Sequence, residues 1–191
     1  MFGMKSLKKK LYQLIIARLD GDKIQEKDYS KKTLNLVEKG IGGFILFGAD
    51  REEIKTFITR LQSFSDTPLF IASDIERGVG QQIKGATIFP CPMAVAAAID
   101  KNNPSDIFYL EEMIKAIAFE AIDLGINMPL IPVLDINTNP DNPIICTRAF
   151  SDNPETVSFF GSKYIEVMES LGLITCAKHF PGHGDTSIDS H

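Results

Sequence analysis

The sequence predicts an α/β domain built on a parallel sheet. Short, continuous apolar runs alternate with amphipathic segments, the pattern of strands buried on both faces and joined by helical crossovers. The loops after the apolar runs are long and polar (74–92, 135–151 and 178–191), whereas those before them are short (40–41, 66–68, 125–126 and 172). That asymmetry suits open α/β sheets and (β/α)8 barrels alike, because both place their sites at the carboxyl ends of the strands. Only four candidate strands are present, so the residues leave two readings: an open sheet, or the first half of a barrel.

The elements follow in order. Leu7, Leu11, Leu14, Ile15 and Leu19 recur at helical spacing and predict one amphipathic helix over 7–19. Lys8, Lys9 and Lys10 ahead of this run resemble a signal peptide, but Gln13, Arg18 and Asp20 interrupt it and no small-residue cleavage site follows. Residues 42–48 read as the first strand. Residues 52–64 read as a helix, with Ile54, Phe57, Ile58 and Leu61 on one face. The second strand, 69–73, ends in Asp74, and a loop rich in Gly, Pro and Gln runs to Pro92. A helix over 105–124 starts at Ser105, a plausible N-cap residue type. The third strand, 127–134, is interrupted by Pro129 and Pro132. After a polar loop, 154–171 is helical and stops at Gly172, and 173–177 is the fourth strand.

The chain of 191 residues carries a net charge of −5, with 44% apolar and 24% charged residues. It is long enough for a core of its own. The acidity argues against a nucleic-acid partner, and the apolar content excludes disorder. No uncharged run approaches the ~20 residues of a membrane span. Cys91, Cys146 and Cys176 are odd in number and widely spaced, which predicts free, buried thiols in a cytoplasmic setting.

All three histidines, His179, His183 and His191, fall in the loop after the last strand. The plainest account is a solvated loop, but ionisable groups concentrated after a strand point to a site. Two chemistries compete. His179, His183 and Asp185 are competent metal ligands, although Pro181 and Gly182 prevent a helix that would stack the first two. Alternatively, Asp189 and His191 stand two apart, close enough for the carboxylate to orient the imidazole as a general acid/base.

The run Lys178-His179-Phe180-Pro181-Gly182-His183-Gly184-Asp185-Thr186-Ser187-Ile188-Asp189-Ser190-His191 closely resembles the signature of family-3 glycoside hydrolases, in their β-N-acetylhexosaminidase branch. Arg18-Leu19-Asp20-Gly21, Gly43-Phe44-Ile45-Leu46-Phe47, Asp74-Ile75-Glu76-Arg77-Gly78, Pro132-Val133-Leu134-Asp135 and Thr147-Arg148-Ala149-Phe150 extend the resemblance over nearly the whole chain. The resemblance implies a (β/α)8 barrel and a retaining hydrolase that releases terminal β-linked N-acetylglucosamine, without metal or cofactor. It implies His191 as acid/base with Asp189 as its partner, and Asp74, Arg148, Lys178 and His179 as sugar-binding residues. It also implies that residues 1–191 are the N-terminal portion of one barrel domain, with the nucleophilic aspartate further downstream. The missing half, or self-association, would then cover what four strands leave open. In bacteria the branch often acts in the cytoplasm on cell-wall fragments. Two departures stand out: the family's Asp-Gln-Glu-Gly-Gly-Arg reads Asp74-Ile75-Glu76-Arg77-Gly78-Val79 here, and a sugar-contacting arginine falls at Gln82.

Overall fold

The computed structural model describes residues 7–189. Its sheet holds β1 (Ile16–Asp20), β2 (Gly43–Phe47), β3 (Phe70–Ser73) and β4 (Met128–Pro129), all parallel and adjacent in chain order. The helices are α1 (Leu7–Gln13), α2 (Lys27–Glu38), α3 (Arg51–Phe64), α4 (Pro92–Ala98), α5 (Pro104–Asp123) and α6 (Pro154–Ser170).

Five expectations are corrected. The helix over 7–19 stops at Gln13, and Ile16–Asp20 is the edge strand β1. Its Leu19 is buried beside Leu46 of β2, so the apolar spacing of 7–19 joins two different elements. The long strand over 127–134 shortens to Met128–Pro129. Pro129 and Pro132 have no N–H to donate, and a ladder cannot run regularly through them. For the same reason 173–177 is not a regular strand. It still runs alongside, with Ile174 N donating to Asn127 O at 3.0 Å, Cys176 N to Ile131 O at 3.1 Å, and a parallel bridge between Val133 and Lys178. Finally, the cap of α5 is Asn103, whose side chain accepts from Ser105 N at 3.0 Å. Among the cysteines, Cys146 is exposed and the other two are half-buried.

Three of the short connections into the strands share one mechanism. Helices α2, α5 and α6 each end on a left-handed glycine, Gly40, Gly125 and Gly172, with φ of 89°, 80° and 84°. After α5, Gly125 N donates to Ile122 O at 3.0 Å and Ile126 N to Ala121 O at 2.9 Å. This paired closure satisfies the last carbonyls and turns the chain back at once, and only glycine adopts the required φ without a Cβ penalty. The same pair of bonds closes α2 and α6.

One face of the sheet packs on the helices. Leu19, Phe44, Leu46 and Ile71 lie there with Ile54, Ile58, Leu61, Leu110, Ile114 and Phe160 in one apolar cluster. The opposite face has no such cover among the described residues. Ile16 and Phe70, which flank Gly43 in one cross-strand row, are 40% and 41% exposed, and Ile174 is 47% exposed. That open face is the one a closed barrel would turn inward.

Candidate active site

Site residues gather where the strands end. Asp74 follows β3 directly, Asp135 follows the extended 130–134 segment, and Lys178 and His179 follow 173–177. Arg148 comes from a short 3-10 turn, Cys146–Arg148, inside the 135–151 loop. A shared rim brings them together, as their loop positions require.

Two ion networks organise the rim. Lys178 Nζ lies 2.6 Å from Asp74 Oδ1 and 2.7 Å from Glu76 Oε1. Arg148 donates to both oxygens of Glu76, Nε to Oε2 at 2.9 Å and Nη2 to Oε1 at 2.8 Å. Glu76 is 4% exposed, so its charge stays buried because two cations meet it, one of them through a bidentate fork. Burial pushes its carboxyl up, but hydrogen bonding and charge from Arg148 and Lys178 outweigh that, and its pKa lies below the ordinary value. In turn, Glu76 raises the pKa of Arg148.

The second network centres on Asp135, which is buried. Its Oδ2 is 2.5 Å from His179 Nδ1, and its Oδ1 accepts from His183 N at 2.5 Å. Buried Asn142 then holds the rest of the loop, donating to His183 O at 2.6 Å and Thr186 O at 2.9 Å while accepting from Ile144 N and Ile145 N. His183 turns its Nδ1 to Thr186 Oγ1. Gly184 passes so close to Ile136 that a Cβ would stand 1.9 Å from its carbonyl oxygen. An open pocket of about 380 Å³ lies against this loop, bordered by His179, Gly182, Asp185 and Thr138.

Asp74, Arg148 and Lys178 thus share one ion network through Glu76, and His179, next to Lys178 in sequence, joins the Asp135 network. Asp189 is exposed, and His191 lies outside the described residues. Among the described residues, no group of three or more His, Cys, Asp and Glu comes together as a metal site would. Gln82 turns its Oε1 to the backbone N–H of Gly48, just past β2, at 3.4 Å. Glu76 and Asp135 are the organising residues, and the sequence reading quotes both inside motifs without giving either a site role. Asp135 carries a readable signal, since it ends an apolar run as Asp74 does.

The buried Glu76 charge sets an acid limit on the fold. A carboxyl held below its unfolded value contributes stability that is full above about pH 4.5 and is lost as pH falls through the folded value. Thermal unfolding between pH 8 and pH 3 tests this. Glu76→Gln should show a shallower acid decline below pH ~4.5 than the wild type, and parallel declines would contradict it.

The model of the glycosyl hydrolase family 3 N-terminal domain matches residues 6–191. The chain belongs to that family. β-Hexosaminidase A from Pseudoalteromonas piscicida is 40% identical over 161 residues, covering 79% of this chain and 26% of that protein. A glycoside hydrolase family 3 β-N-acetylglucosaminidase from Paenibacillus sp. str. FPU-7 superposes with a TM-score of 0.83 at 33% identity, over 97% of this chain and 35% of that one. The β-glucoside phosphorylase BglX bound to 2FGlc does so with a TM-score of 0.83 at 28% identity, over 97% and 32%. This family 3 chain thus spans about a quarter to a third of those relatives. Its four parallel strands with helices are the N-terminal part of the family's barrel.

Proposed function

We propose that this chain supplies the sugar-binding and acid/base half of a retaining β-N-acetylhexosaminidase. In this reading the remaining strands and the nucleophile come from a part of the barrel that these residues do not span. The observation that carries it is the rim cluster of Asp74, Glu76, Arg148 and Lys178. Two carboxylates meet two cations and the neighbouring Asp135 adds a further negative charge, so the rim offers no net attraction to an anion but many directional partners to a neutral polyol. The named relatives add the sugar: a β-hexosaminidase and a β-N-acetylglucosaminidase are among them.

The roles divide by chemistry. Asp74 accepts hydrogen bonds from hydroxyls, Lys178 and Arg148 donate to hydroxyl oxygens, and His179, next to Lys178 in sequence, lines the neighbouring pocket. His191, oriented by Asp189, gives its proton to the leaving oxygen and later takes one from the attacking water. Bacterial cell-wall fragments carry such sugars, and the free thiols suit a cytoplasmic setting. Among the described residues no helix is long and apolar enough to cross a membrane.

A second reading, a β-glycosidase with another sugar preference, is favoured by Gln82 standing where the family places a sugar-contacting arginine. Nitrophenyl β-N-acetylglucosaminide and nitrophenyl β-glucoside, compared on the complete protein, separate the two. Preference for the glucoside would reject the first. Residues 1–191 alone should release no nitrophenol, because retaining hydrolysis needs an attacking group opposite the acid. Light scattering should show self-association, since Ile16, Phe70 and Ile174 are uncovered. A monomer that turns over the acetylglucosaminide would place the nucleophile within this chain.

A further inference from the structure

The side chain of Asp135 has no exposure, and two backbone N–H groups and one imidazole nitrogen meet its two oxygens. Oδ2 accepts from His179 N at 3.2 Å and faces His179 Nδ1 at 2.5 Å, while Oδ1 accepts from His183 N at 2.5 Å. Both oxygens already accept from backbone N–H groups, so the carboxylate meets the ring as an acceptor and a proton on Nδ1 completes the contact. Nε2 has no partner among the described residues, and the ring borders the open pocket.

We propose that Asp135 is a positioning residue that fixes His179 as the Nδ1–H tautomer, so that Nε2 meets the sugar as a hydrogen-bond acceptor. The proposal rests on the sugar-binding reading above and sharpens it. Lys178 can only donate, and the neutral ring of His179 at Nε2 can only accept. Consecutive residues then present opposite partners, which complements two neighbouring hydroxyls of which one accepts and the other donates. Asp135 acts through the ring without touching the sugar. It also holds His183 N, so one carboxylate sets both the orientation of His179 and the course of the loop that leads on to Asp189.

The test is long-range proton–nitrogen NMR on the chain labelled at its three histidines, at pH 8, above the ordinary imidazole value of ~6.5. His179→Gln identifies the signal. The expected pattern is a pyridine-type Nε2 and a pyrrole-type Nδ1, and the reverse would overturn the proposal. Asp135→Asn has one acceptor oxygen for three N–H groups, so the Nε2–H form should gain population. An unchanged tautomer in that variant would overturn the role of Asp135. Should the variant fail to fold, the wild-type spectrum still decides the tautomer. Neither measurement uses sugar or turnover, so the glycosidase reading stands or falls on its own assay.

Discussion

Replacing His191 with alanine in the complete protein should slow cleavage of a β-linked N-acetylglucosamine disaccharide by roughly 10²–10⁴-fold, the scale of general acid/base catalysis. In barrier terms that is about 3–5.5 kcal/mol. The loss should shrink for nitrophenyl glycosides, whose leaving group departs with little protonation. Asp189→Asn should follow the same ordering with a smaller loss, because it weakens the orientation of the ring while leaving it present. Comparing kcat/KM for the two substrate types across these variants is the decisive measurement. Undiminished turnover of the disaccharide by His191→Ala would remove His191 from the acid role.

The second large effect is on stability. Arg148→Met should destabilise the fold by roughly 3 kcal/mol, because Glu76 stays buried with only Lys178 to meet its charge. The lower end of the range for broken buried pairs applies, since Arg148 keeps 33% of its side chain in water. At this chain length the loss corresponds to a fall in Tm of roughly 6–12 °C. Exposed pairs such as Lys84–Asp22, with side chains 75% and 57% exposed, should move Tm little when broken. Equal shifts for the two substitutions would show that Glu76 is not a buried charge held by its partners.

Strands that are apolar on both faces are easily read from the chain. Gly43–Phe47 and Phe70–Ser73 fall inside the predicted 42–48 and 69–73. The edge strand β1 is not, because Ile15 and Leu19 happen to continue the spacing of α1, and a short apolar run does not reveal its period. Helix α2 escapes for the opposite reason. Only Thr33 and Val37 are fully buried in Lys27–Glu38, with Tyr29, Leu34 and Leu36 partly so, and that thin stripe is easily passed over among the surrounding charges. At the site, Asp74, Arg148, Lys178 and His179 show through motif and loop position. Glu76 and Asp135 act on partners 72 and 44 residues away in sequence, and that pairing exists only once the strand ends are side by side.

The paired charges at the rim also govern how a neutral sugar arrives. Opposite charges a few ångströms apart cancel each other's field well within a Debye length of ~10 Å. No long-range steering then draws substrate in, so capture proceeds at the pace of unaided diffusion and orientation, and ionic strength leaves it nearly unchanged. Discrimination between one sugar and another falls to the rate at which each leaves, the step most sensitive to hydrogen bonds made at close quarters.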